Sequence, residues 1–307
     1  MVRNVFLNPD ESRLRAGWRI LIFLVVLIAM TRIFSIAMVR AFPAEGGTWV
    51  WWVRYGIVVV TSWTLAVWIN RRYTDKRSFG SLGLAFGGLA MKDFFVGLIL
   101  SGLMVGVVFT ILLISGLLEI QEISWTDGGI PPILEIALFF LGIGLAVGWS
   151  EELLFRGYLL QNLRDGIGTF WAVAIMCVFY GIVHMTNPDS TWLAGVVISI
   201  FGFLRVFPWL RTGQLWLGIG MHAGWNFFQG PIFGFGVSGY SAETLIKQNV
   251  LGPDWITGGS FGPEAGVVGI PALLVGLIAV YLWTVKRQEG APRPYSTSER
   301  GGWKSTK

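Results

Sequence analysis

The sequence predicts an all-α, polytopic membrane protein, with about eight transmembrane helices around an intramembrane site. Three observations predict it. Composition is the first: of 307 residues, 54% are hydrophobic and only 13% charged, where a soluble domain carries about 25% charged residues. The second is a set of eight apolar runs, near 18–39, 49–69, 94–118, 133–163, 169–187, 190–208, 214–233 and 266–285, each close to the roughly 20 residues that a bilayer crossing requires. The third is the alternation of Lys and Arg between successive loops, which the positive-inside rule turns into an orientation.

Taken in order, the head contributes Arg3, Arg13, Arg15 and Arg19. The loop between the second and third runs contributes Arg71, Arg72, Lys76, Arg77 and Lys92, and Arg164 and Arg211 mark the next two even-numbered turns. The tail adds Lys286, Arg287, Arg293, Arg300, Lys304 and Lys307, whereas the opposite side has Arg40, Lys247 and little else. Both termini are therefore expected in the cytoplasm, in an integral protein of a bacterial cell membrane. No secretory signal is expected, because the first apolar run begins late and no small-residue cleavage site follows it. The fourth run is longer than a bilayer needs. After the seventh comes a Gly-rich stretch, 234–265, read as either an outer cover over the bundle or a plain connector. The domain reading is one transmembrane helical unit, 1–285, followed by a disordered cytoplasmic tail, 286–307.

Cys177 is the single cysteine, which excludes an internal disulfide framework and a CxxC metal site. The net charge of +5 sits in loops and tails, where it orients the chain, so no nucleic-acid partner is expected. Small-xxx-small pairs at Gly102/Gly106, Gly144/Gly148 and Gly220/Gly224 read as sites of close helix packing.

Polar residues inside the apolar runs carry the chemistry. The fourth run contains Trp149-Ser-Glu-Glu-Leu-Leu-Phe-Arg-Gly157. A charged side chain at the centre of a membrane helix costs about 2.5–3.5 kcal/mol, so it survives by facing protein, pairing, or doing chemistry. Glu152 and Arg156 are four residues apart and meet on one helical face. Glu151 lies about 100° around the helix and has no cation in this stretch. One carboxylate is braced and the other is free.

The chain has two histidines, His184 and His222, both within apolar runs. A lone buried histidine is ordinarily a satisfied core residue, and here the company each keeps changes the reading. His222 and Asn226 are four residues apart on one face. Glu151 lies 15 residues before a turn expected at Gly166 and His184 lies 18 after it, which places both at similar depth on adjacent antiparallel helices. One carboxylate, two imidazoles and a carboxamide at one level suit hydrolysis: a carboxylate to take a proton from water and polar donors for an oxyanion. The same groups leave a metal alternative open, with zinc held by Glu151, His184 and His222. No HExxH helix is present.

These residues resemble a family. Glu151-Glu152-xxx-Arg156, an aromatic-xxx-His184 and His222-xxx-Asn226, in that order on successive helices, are similar to the motifs of the CPBP intramembrane proteases. That group comprises the CAAX prenyl endopeptidases and bacteriocin-processing proteins, also called Abi. The likeness covers roughly 133–233. It implies a protease in which Glu151 and His184 activate water and His222 and Asn226 stabilise the oxyanion, with Glu152 and Arg156 as structural support. It also implies a membrane-embedded or lipidated peptide or protein substrate. The family's second motif usually has Phe four residues before its His. Here that position is Tyr180, which keeps the aromatic face and adds a hydroxyl able to reach the site. Two rival readings are a transporter or channel with a Glu/His proton relay and a catalytically silent membrane regulator or immunity protein.

Overall fold

The computed structural model describes residues 3–8, 13–42, 47–123, 136–241 and 244–288. The expected tail disorder therefore lies almost wholly outside the described residues, as do the first residues of the fourth apolar run.

Helices form in every one of the eight apolar runs. They are α1 (Ala16–Ala41), α2 (Gly47–Ile69, continued by a wide turn to Thr74), α3 (Gly88–Ile114) and α4 (Ile136–Ile167), then α5 (Thr169–His184), α6 (Trp192–Thr212), α7 (Trp216–Phe227, continued to Ile232) and α8 (Gly269–Gln288). Five of them, α1–α4 and α6, are long and apolar enough to cross a membrane. The expected count of eight is thus supported only in part. The α5 helix and the apolar stretch Gly269–Val285 of α8 are shorter, and α7 widens into π-type turns after 12 residues. The third helix also starts earlier than its apolar run and stops at Ile114, because the chain turns at Gly116 (φ 71°) into a strand.

That strand, β1 (Leu118–Ile123), pairs antiparallel with β2 (Ile246–Val250), Leu118 opposite Val250, with a bulge between Ile120 and Glu122. A second small pair joins Leu7–Asn8 to Arg13–Leu14. The fold is mostly helical rather than strictly all-α. β2 belongs to the Gly-rich stretch, which is folded onto the ends of the helices beneath it. Asn187, just beyond α5, donates to the Ser238 carbonyl at 3.1 Å. Trp225 of α7 donates through Nε1 to Glu264 at 2.9 Å, and the Ser238 hydroxyl donates to the same carboxylate.

The closest helix contact places α7 between α3 and the amino-terminal half of α4. Glycine makes this approach possible: a Cβ on Gly224 would lie 2.6 Å from the Leu98 carbonyl, and one on Gly220 would collide with that of Phe94. Ser101 of α3 donates to the Met221 carbonyl at 2.6 Å. On the other side, a Cβ on Gly148 of α4 would meet Ala223 N at 2.9 Å. The α7 backbone is therefore held on both sides, which fixes where its side chains point. The small-residue pairs at 144/148 and 220/224 are packing devices, as their spacing suggested.

The turn between α4 and α5 falls at Gly168, φ 82°, two residues later than Gly166. A left-handed backbone there costs glycine no Cβ clash. Arg13, Arg71 and Arg77 converge with Asp75 and Asp165 at this end of the bundle: Arg13–Asp165, Arg71–Asp75 and Arg77–Asp165 are each 3.0 Å. Basic residues that the sequence assigned to one side of the membrane are gathered into one network.

Candidate active site

Helix α4 departs from α-geometry twice, with π-type turns at Phe140–Leu145 and again at Glu152–Leu159, directly after Glu151. Such turns are rare and concentrate at functional sites. The wider turn keeps residues four apart nearly aligned, and Arg156 Nη1 lies 3.4 Å from Glu152 Oε1, both side chains fully buried. Arg156 also lies over the Tyr180 ring of α5, 4.4 Å from its centroid. The guanidinium thus ties α4 to α5 while neutralising Glu152.

Glu152 has a second partner. His222 Nδ1 of α7 stands 3.0 Å from the same Oε1. A carboxylate only accepts, so Nδ1 carries the proton in this bond. The other ring nitrogen, Nε2, faces Glu151 Oε2 at 3.8 Å. One imidazole is therefore bonded to Glu152 and stands beside Glu151 without a hydrogen bond to it. Gly218, one turn earlier on α7, makes room for this, since a Cβ there would lie 3.2 Å from Glu152 Oε2.

Glu151 is the more open of the pair, its side chain 16% exposed against 1% for Glu152. Its Oε2 accepts the Tyr180 hydroxyl at 3.1 Å. The added hydroxyl of this motif thus reaches the free carboxylate. His184 is set by the same residue: its Nδ1 donates to the Tyr180 carbonyl at 2.8 Å, and the two rings lie 4.3 Å apart. With Nδ1 committed to a carbonyl, Nε2 of neutral His184 is the acceptor. The structure bonds Glu151 to Tyr180 and sets His222 Nε2 3.8 Å from it, and His184 joins this group through Tyr180 rather than through a bond to Glu151. Asn226 is buried one turn beyond His222 and makes no hydrogen bond to any described residue. Its amide is available to a bound molecule.

Among the described residues no group of three His, Cys, Asp or Glu side chains is arranged to hold a metal ion. The expected zinc set Glu151, His184 and His222 is not among such groups, although the Nδ1 bonds of the two histidines leave Nε2 open on each ring. Two features escaped the sequence reading. The Glu152–His222 bond joins residues 70 apart, which no local spacing reveals. Arg205 of α6 is a buried cation in an apolar helix, and its position inside an apolar run was the available signal.

Comparison with known proteins bears on this arrangement. Residues 133–228 match the family model described as type II CAAX prenyl endopeptidase Rce1-like. This segment is similar to that family. The matched segment contains every residue that the motifs singled out, from Glu151 to Asn226. The chain is also similar to an uncharacterized protein of Bacillus subtilis (strain 168), YyaK, at 33% identity over 84 residues. Those residues are 26% of this chain and 28% of that protein, so the likeness spans under a third of either. No solved structure matches.

Proposed function

We propose that this chain is an intramembrane endopeptidase that hydrolyses peptide bonds of membrane-associated or lipidated proteins and peptides. The observation that carries the reading is the placement of His222, bonded to Glu152 and 3.8 Å from Glu151, within a segment similar to a family of proteases. Glu151, open on one side and oriented by Tyr180, takes a proton from water, and His184 Nε2 helps to hold that water. The oxygen of the water attacks the scissile carbonyl carbon, and negative charge develops on the carbonyl oxygen. The Asn226 amide donates to that oxygen, joined by His222 Nε2–H when the ring carries both protons, a form that Glu152 stabilises. The proton held by Glu151 then passes to the leaving amine as the C–N bond breaks.

No step in this scheme uses a metal. The termini are assigned to the cytoplasmic side of a bacterial cell membrane on the loop charges. The decisive experiment incubates the purified protein with lipidated and unlipidated membrane peptides, with and without a zinc chelator, and reads products by mass spectrometry. Cleavage that persists with chelator and vanishes in Glu151→Gln is expected. Failure to cleave any peptide would remove the hydrolase assignment.

A further inference from the structure

Arg205 has no part in the scheme above and does not belong to the three motifs. It lies on α6 at 7% exposure, on the helix face opposite Phe203 and Ile200, which are exposed. Among the described residues it makes no hydrogen bond and no ion pair. Its backbone lies beside the place where Glu152 meets α7: a Cβ on Gly218 would lie 3.2 Å from Glu152 Oε2 and 4.0 Å from the Arg205 carbonyl oxygen. Helix α6 packs against both α5 and α7, so it brings a buried cation beside the helices that carry Tyr180 and His222.

The chemistry of this placement is unusual. A buried, unpaired cation is costly, and Arg156, similarly buried, meets that cost by pairing with Glu152. The Arg205 nitrogens are not among the fully sealed polar side-chain atoms that lack a hydrogen bond, so they retain some accessible surface. A guanidinium presents several donors in a planar fork, matched to anionic oxygen. We infer that Arg205 is the receptor for an anionic oxygen group of the bound substrate, a site that deepens the proposed hydrolase reading and rests on it. Two sources supply such a group: a carboxylate of the peptide, or the oxyanion formed at the scissile carbonyl.

The test uses two hydrophobic peptides identical except for a free or amidated C-terminal carboxyl, with wild type, Arg205→Gln and Arg205→Lys in detergent. If the peptide carboxylate is the partner, amidation raises KM for wild type by about 10–100-fold, and Arg205→Gln erases the difference between the peptides. If the oxyanion is the partner, Arg205→Gln lowers kcat on both peptides alike, by about 10²–10³-fold, with KM and melting temperature retained. Arg205→Lys restores part of either effect, since it keeps the charge and loses the fork. Unchanged kcat and KM in Arg205→Gln would overturn the inference. So would a loss of activity that merely follows a loss of folded protein, because Arg205 would then only balance the two glutamates. A thermal-shift arm separates this from the hydrolase reading. If wild type cleaves neither peptide, stabilisation by the acid but not the amide, lost in Arg205→Gln, still supports the receptor, and no such difference overturns it.

Discussion

His222 Nδ1 lies 3.0 Å from Glu152 Oε1 while its Nε2 faces Glu151 Oε2 at 3.8 Å. Glu152 is therefore shared between a guanidinium on its own helix and an imidazole on α7. It is both a brace within α4 and the group that aims His222. The two functions predict separable defects.

Arg156→Ala leaves Glu152 buried with His222 as its remaining partner. Removing one member of a buried ion pair costs about 3–5 kcal/mol, so this variant should melt well below wild type in detergent. Glu152→Gln keeps the shape and an acceptor oxygen for Nδ1–H but loses the negative charge that stabilises a doubly protonated ring. It should fold better than Arg156→Ala and still lose turnover. Equal melting of Arg156→Ala and wild type would dismiss the brace.

Tyr180→Phe removes only the hydroxyl that donates to Glu151 at 3.1 Å. A hydrogen bond to a charged group contributes about 1.5–3 kcal/mol, but Phe retains the ring against Arg156 and His184. Protein yield and melting should stay near wild type, with kcat down by roughly 10-fold, in line with about 1.4 kcal/mol per decade. A much larger loss would show that Tyr180 itself touches the reacting atoms.

How much of this was legible in the sequence depends on the range of each contact. The Glu152–Arg156 pair and the shared face of His222 and Asn226 follow from helical spacing. Hairpin arithmetic set Glu151 level with His184, whereas the turn falls at Gly168 and not Gly166 and Glu151 is bonded to Tyr180, one turn earlier on α5. Hydropathy located each of α1–α8 but not the single-turn helix Asp254–Thr257, and it could not separate full spans from the shorter α5, α7 and α8, because burial against neighbours makes a short helix as apolar as a lipid-facing one. The β1–β2 pair joins residues more than a hundred positions apart and was invisible. The Glu152–His222 bond was hidden for the same reason, since it depends on how α7 is rotated between α3 and α4.

That rotation is set by glycine. Adding a methyl at Gly220 would drive it into the Phe94 carbonyl, and backbone atoms cannot swing aside as side chains do. Gly220→Ala should therefore separate α3 from α7 and displace His222 two residues later. Melting should fall by an amount typical of overpacking, about 1–3 kcal/mol, and turnover should fall further than the loss of folded protein explains. Gly106→Ala is the control, because a Cβ there meets only Phe233 at 3.9 Å. If both variants behaved alike, close approach would not be what positions α7.

The sharpest prediction sets Glu151 against the two histidines. Glu151→Gln preserves size and an acceptor for the Tyr180 hydroxyl but removes the proton acceptor, so turnover should drop by 10²-fold or more with folding intact. His222→Ala and Asn226→Ala each remove a donor proposed for the oxyanion and should lower kcat by about 10²–10³-fold. A metal mechanism makes a different demand: His184→Ala and His222→Ala would each abolish a stoichiometric zinc together with activity, and added metal would restore part of it. With Nδ1 of His222 bonded to Glu152 and Nδ1 of His184 bonded to the Tyr180 carbonyl, each ring has only Nε2 to offer. The structure brings only one of those two, that of His222, within 4 Å of Glu151. Metal analysis of wild type should accordingly find no stoichiometric zinc. A zinc lost in both histidine variants would reverse the assignment of Glu151 and His184 as the groups that activate water unaided. A fully active Glu151→Gln would remove it altogether.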